Sequence, residues 1–198
     1  MTDGREELTS AAPASTADTD RALLLLRQRG AEGVAHPGGT LYDHLQRVAS
    51  RLAEWRARPA LHLAGLCHAF YGTDGFPTAL GPVECRGDLT SVIGPEAEAL
   101  VYLYASCDRA ASYPTLHRSD AALRDRFTGR SYLPGLQERR DFTELTAANE
   151  LDLAAINPGF RDSHGSELLA LFSRVRTWLS PDAWQTCRTV LSPSGRSL

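Results

Sequence analysis

At 198 residues with 42% hydrophobic content, the chain has the length of one domain and enough apolar side chains to bury a core. A net charge of −3 leaves no basic excess to track a phosphate backbone, so general nucleic-acid binding is not implied. All 21 basic residues are arginines, which excludes a Schiff-base or Walker-type lysine and keeps arginine available to fork onto carboxylate or phosphate.

The residues up to Thr19, rich in Ala, Ser, Thr and Asp, read as a disordered tail, with a single all-α domain over 20–198. Asp20 then opens a short helix that Gly30 stops, and "AEGVAHPGGT" is a Gly- and Pro-dense loop. Leu41, Leu45, Val48, Leu52 and Trp55 form a helical stripe. Pro59 starts a helix that is apolar on nearly every side and therefore central, ending at Gly72. The stretch from Thr73 to Gly94 reads as loop with one short helical turn. Pro95 opens a helix with Glu96 and Glu98 at its positive end. Residues 113–136 are polar and turn-rich, either a loop or a small hairpin that could cover a site. Three more helices follow: "DFTELTAANELDLAAIN", stopped before Pro158, then "SHGSELLALFSRVRTWLS" and "SPDAWQTCRTVLS". The total is about seven helices, without an internal repeat. Cys67, Cys85, Cys107 and Cys187 contain no CxxC pair, no apolar run has membrane-spanning length, and the polar N-terminus is unlike a signal peptide. The expectation is a cytoplasmic protein with reduced thiols, no membrane or nucleic-acid partner, and a small-molecule substrate.

The chemistry gathers on histidines. Of His36, His44, His62, His68, His117 and His164, His44 lies beside the apolar stripe of its helix and His68 near the end of the buried helix. Imidazole is the commonest protein ligand for transition metals. His36, on the loop entering the His44 helix, can fold back over it. His36, His44 and His68 together would supply three nitrogens to a divalent metal ion, iron, zinc or manganese, with positions left open. Each also has a bland reading, as a hydrogen-bonded core or boundary histidine. On "TAANELDLAAIN", Asn149 and Asp152 share a helix face, whereas Glu150 and Asp152 are roughly 200° apart and cannot both face one pocket. Arg109, read at a helix C-terminus where its charge suits the dipole, is a candidate for capturing an anionic substrate. The plain alternative for these carboxylates and arginines is a solvated surface.

Several stretches share an order with a known superfamily. "LYDHLQRVASRLA" and "LAGLCHAFYG" resemble the first and second metal helices of HD domains, "IGPEAEALVYLY" resembles the following helix in the guanosine-tetraphosphate hydrolase branch, and "LTAANELDLAAI" falls where the superfamily has its last metal aspartate. "GTLYDHL", "LAGLCHAFYGT", "LYASCDR" and "ANELD" resemble more closely a family of uncharacterised HD-like proteins, DUF6817. That resemblance implies an HD-domain-like helical bundle and singles out His36, Asp43, His44, His68, Tyr71, Gly72, Thr73, Asp108, Arg109, Asn149 and Glu150. It names no reaction. Two departures stand out: Ala69 replaces the HD aspartate, and Asn149 stands in place of the distal one. Loss of two anionic ligands weakens hard cations most, so the remainder suits iron or zinc.

Three functional readings follow. In the first, His36, His44 and His68 hold a metal for hydrolysis or iron-dependent oxidation of a small molecule, with Tyr71, Asn149, Glu150 and Arg109 as candidate catalytic residues and Glu150 or Asp152 as a further candidate ligand. In the second, an isomerase, cyclase or lyase uses His44 or His68 as a base and Tyr71 as an acid, without metal. In the third, the fold is kept for ligand binding alone.

Overall fold

The computed structural model describes residues 15–192. Among them are nine α-helices and two two-stranded hairpins, a mostly helical fold. The helices are α1 (Thr16–Gln28), α2 (Leu41–Glu54), α3 (Pro59–Cys67), α4 (Arg86–Ile93), α5 (Pro95–Ser106), α6 (Arg109–Ser112), α7 (Leu136–Ile156), α8 (Pro158–Arg174) and α9 (Pro181–Leu191). The hairpins are β1 (Ala35–His36) with β2 (Gly39–Thr40), and β3 (Leu123–Arg124) with β4 (Ser131–Tyr132), both antiparallel.

Local chemistry explains several boundaries that sequence periodicity misplaced. The expected tail over 1–19 lies mostly outside the described residues, but its end is helical. Ser15 caps α1 by accepting from the Asp18 amide at 3.1 Å, which starts the helix four residues before Asp20. Cys107 is extended and bridges Asp125, and Asp108 then caps a new helix through the Ala111 amide at 3.0 Å. Arg109 therefore sits in the first turn of α6, not at the C-terminus of a long helix, and the dipole argument for it does not hold. Pro158 begins α8, with Asn157 as its cap, because proline needs no amide partner in a first turn. The expected turn between Thr73 and Gly94 is the two-turn helix α4.

Helices α2, α3, α5 and α7 pack around one core, α8 and α9 close over α7, and α1 with α4 cover α3 and α5. At the crossing of α2 and α3 a side chain on Gly65 would meet Leu52 Cδ1 at 2.3 Å, so the approach of the two helices needs the glycine. The most buried long helix is α7, and it is rich in polar groups: Arg139, Asp141, Glu144, Asn149, Glu150 and Asp152 are all buried. Each has a partner on another element. Asp141 takes Arg58 Nε at 2.9 Å and Nη2 at 2.5 Å, just ahead of α3. Glu144 accepts the Ser180 amide at 2.8 Å at the entry to α9.

Asp141 is 2% exposed, and removing its cation would leave a buried, uncompensated carboxylate. Arg58→Met is therefore expected to cost about 3–5 kcal/mol in denaturant unfolding. A loss below about 1 kcal/mol would show that water or another group compensates Asp141.

Candidate functional site

Three elements bring the site together. The β1–β2 hairpin, tightened at Gly38 and Gly39, whose φ values are +78° and +136°, lays His36 over the start of α2. Thr40 and Asp43 form a reciprocal capping box: the Asp43 carboxylate accepts the Thr40 amide at 3.0 Å, and the Thr40 hydroxyl accepts the Asp43 amide at 3.1 Å. Asp43 is thus an exposed capping residue. One residue on, His44 is carried inward and buried. His68 is the last residue of its turn at the end of α3. Asn149 and Asp152 are three apart on α7: Asn149 faces both histidines, and Asp152 meets His44 alone.

The hydrogen bonds define the protonation pattern. His44 Nδ1 lies 2.7 Å from Asp152 Oδ2, and Arg47 grips the same carboxylate from the other side, Nε at 2.8 Å and Nη2 at 2.9 Å. His68 Nδ1 lies 2.7 Å from the Gly65 carbonyl. A carbonyl only accepts, so His68 Nδ1 carries a proton, and His44 Nδ1 donates to the carboxylate by the same reasoning. In the neutral rings both Nε2 atoms then present lone pairs. These meet each other at 3.3 Å and meet Asn149 Oδ1 at 3.1 Å each. The Asn149 amide is held oxygen-inward because its Nδ2 donates to Glu150 Oε1 at 3.1 Å, an oxygen that also accepts from Arg109 Nη1 at 2.8 Å. Three acceptor atoms therefore converge on one point, an arrangement that needs a proton or a cation among them.

Burial, followed by the proximity of His44, pushes the His68 pKa down to about 3, and burial takes His36 down to about 4. For Asp152, burial alone would raise the pKa, but hydrogen bonds from His44 and Arg47 outweigh it and hold the carboxyl at about 2.

His44, His68 and Asn149 line a pocket of about 240 Å³ with His36, Ala69, Thr73, Phe76, Arg109 and Phe160. The three-histidine set does not form. His36 stacks on the His44 ring at 4.1 Å and 24°, so its nitrogens lie in a separate, nearly parallel plane and cannot share a centre with His44 Nε2. Among the described residues no group of three or more His, Cys, Asp or Glu side chains is arranged to hold a metal ion. Tyr71 is turned away from the pocket: its hydroxyl donates to Glu98 Oε1 at 2.9 Å, and burial with that carboxylate raises its pKa. Glu150 does line the pocket, whereas Asp152 stands behind His44, which agrees with their opposed helix faces. Gly72, at φ +70°, turns the chain where a side chain would strike the Pro77 carbonyl at 2.7 Å, and Thr73 follows into the pocket wall. Residues 113–136 do not line the pocket; β3 packs instead against α6 and pairs with β4. His62, His117 and His164 are not part of the pocket, and all four cysteines are free.

Sequence reasoning missed Arg47 and Tyr104. Arg47, one turn after His44, had a legible signal in its spacing. Tyr104 had none: its ring lies at 85° to the His68 ring at 5.4 Å, a contact made across the fold, and its hydroxyl accepts from Arg109 Nη2 at 3.1 Å.

With the geometry in hand, comparison with known proteins adds one likeness: residues 25–109, less than half of the chain, match the model of a domain of unknown function, DUF6817. That stretch holds His36, His44, His68 and Arg109 but not Asn149 or Asp152. No curated protein and no solved structure matches the chain. No helix among the described residues is long and apolar enough to cross a membrane.

Because His36 and His68 have folded pKa values below the unfolded 6.5, the unfolded chain binds more protons in that interval. In chelator-treated protein the stability present above pH 6.5 should fall as pH drops toward 3, and Asp152 adds a loss of the same sign only below its unfolded 3.8. Urea midpoints across pH check this, with a shallower decline expected for His68→Gln. An unchanged midpoint down to pH 4 would mean that His68 protonates freely in the folded state.

Proposed function

We propose that the chain is a metal-dependent enzyme acting on a small molecule, with His44 Nε2, His68 Nε2 and Asn149 Oδ1 as the ion's protein ligands. The observation that carries this is the convergence of three acceptors whose outward-facing atoms are already committed. The triangle they form, with edges of 3.1–3.3 Å, suits the donor set. Ligands at roughly 2.0–2.1 Å in tetrahedral array stand about 3.3–3.4 Å apart. The Asp152–His44 pair and the Gly65 carbonyl–His68 pair are the kind of outer contact that fixes the tautomer of a ligating histidine. The order of ligands along α2, α3 and α7 supports an HD-like arrangement with Asn149 in the distal acidic position and Ala69 lacking its acid. With a neutral donor set, zinc or iron is favoured over magnesium.

A divalent ion there would supply Lewis-acid activation of a substrate oxygen, and an iron occupant would open oxidation as well. The chain's own groups do the rest. Asp152, held by Arg47, keeps His44 in one tautomer. Glu150, paired with Arg109, holds the Asn149 amide in orientation. Ala69, Phe76 and Phe160 limit water.

The absence of a carboxylate among the converging donors favours one other reading. In it a proton sits where the ion would be, His44 being an imidazolium beside Asp152 that acts as an acid, and neutral His68 being its base. Metal analysis separates the two. Protein purified without chelator, or reconstituted with zinc or ferrous iron, should hold about one ion per chain, and His68→Ala should lose it. Asp152→Asn should weaken the ion's binding about 10–100-fold. A protein that stays metal-free after reconstitution, with His44 doubly protonated in nitrogen-15 spectra, would replace the metal reading by the proton one.

A further inference from the structure

Beside the histidine pocket lies a second cavity of about 680 Å³, between α8 and the turn that follows α6. Its walls are mostly apolar, with Tyr113, Pro114, Leu168 and Leu171 prominent. Arg109, Glu150 and Phe160 line both spaces, so the two cavities share a wall made of one ion pair and one aromatic ring. The charges of that wall are matched against each other, Arg109 Nη1 to Glu150 Oε1 at 2.8 Å, which leaves the inner end without a free charge. The Tyr113 hydroxyl is buried and has no protein partner among the described residues, and burial raises its pKa well above the usual phenol value, so it stays protonated. A buried hydroxyl without a partner is costly unless a bound group supplies one.

We infer that this second cavity is the subsite for the substrate's body, an apolar aryl or alkyl group bearing an oxygen that pairs with Tyr113, and that the polar, reacting end passes the Arg109–Glu150–Phe160 wall to the histidines. The inference rests on the reading of the histidine pocket as the reacting centre. Cavities of this volume hold ligands of drug size, whereas the histidine pocket alone admits only a small polar group. Phe160 and His164, whose rings lie 4.8 Å apart and tilted at 50° on the first turns of α8, add aromatic surface to this wall. The Glu150 carboxylate also orients Asn149, so a ligand that disturbs the shared wall is felt at the histidine pair.

Calorimetric titration of chelator-treated protein with 4-phenylbutan-1-ol, followed in parallel by histidine-ring NMR, tests this. The expected result is saturable binding with a negative heat-capacity change and shifts of the His44 and His68 ring signals. Leu168→Arg, at a half-buried position on the cavity wall, should weaken binding at least tenfold with an unchanged thermal midpoint, and Tyr113→Phe should weaken it several-fold. No binding at millimolar probe, binding indifferent to Leu168→Arg, or binding that leaves both histidine signals unmoved would each overturn the subsite. Since the titration is run without metal, failure of the metal reading leaves its outcome untouched, and a metal-loaded protein that binds no probe would sink the subsite alone.

Discussion

The structure depends on the burial of a polar helix. Helix α7 runs through the middle of the fold carrying Arg139, Asp141, Glu144, Asn149, Glu150 and Asp152, all buried. Burying such groups unpaired costs several kcal/mol each, so each one constrains a neighbour. Asp141 fixes Arg58 and with it the start of α3. Glu144 receives the amide that opens α9, and Arg139 Nη2 donates to the Ala121 carbonyl at 2.8 Å, tying down the stretch before β3. Glu150 holds Arg109 and the start of α6, and Asp152 holds His44 and Arg47 on α2. The polar face of one helix thus sets where four other segments begin.

The histidine pair is the part of that network where the partners do not close. Elsewhere along α7 each buried carboxylate meets a donor. Between His44, His68 and Asn149, three acceptors meet one another, because the Asp152 carboxylate and the Gly65 carbonyl have already taken the donor side of each ring. A core designed only for packing has no reason to bring three lone pairs together. The arrangement is the kind of local conflict that functional sites retain against the demands of stability. An aspartate in place of Ala69 or Asn149 would add an anion beside Glu150, whose ion pair with Arg109 is already made.

Some of the site was legible in the sequence because it depends on spacing alone. His44 could be placed beside the apolar stripe of its helix, Asn149 and Asp152 on one face, and Glu150 on another. That the loop entering α2 could fold His36 back over it was legible; that it does so as a hairpin was not. What His36 does there was not legible. A three-residue metal set and a stacked ring use the same chain path, and only the ring's orientation, set by packing against His44 and Phe76, separates them. Tyr71 failed for the same reason: its position in the motif places its backbone near the pocket, but the Glu98 carboxylate draws the side chain the other way. Arg109 looked like the end of one helix because periodicity runs on through Cys107, and the Asp108 cap that restarts the chain is a matter of one hydrogen bond.

By itself the sequence determined the helical class, the order of the main helices and the helix faces of His44, Asn149, Glu150 and Asp152, since these follow from periodicity, capping and turn residues acting over a few neighbours. Tertiary structure alone decided which of those faces meet. The contacts of Asp152 with His44, Glu150 with Arg109 and Tyr104 with His68 join residues far apart in the chain, through distances fixed by helix packing. The pocket exists because buried charges on α7 had to find partners on other helices, a constraint that no single segment contains.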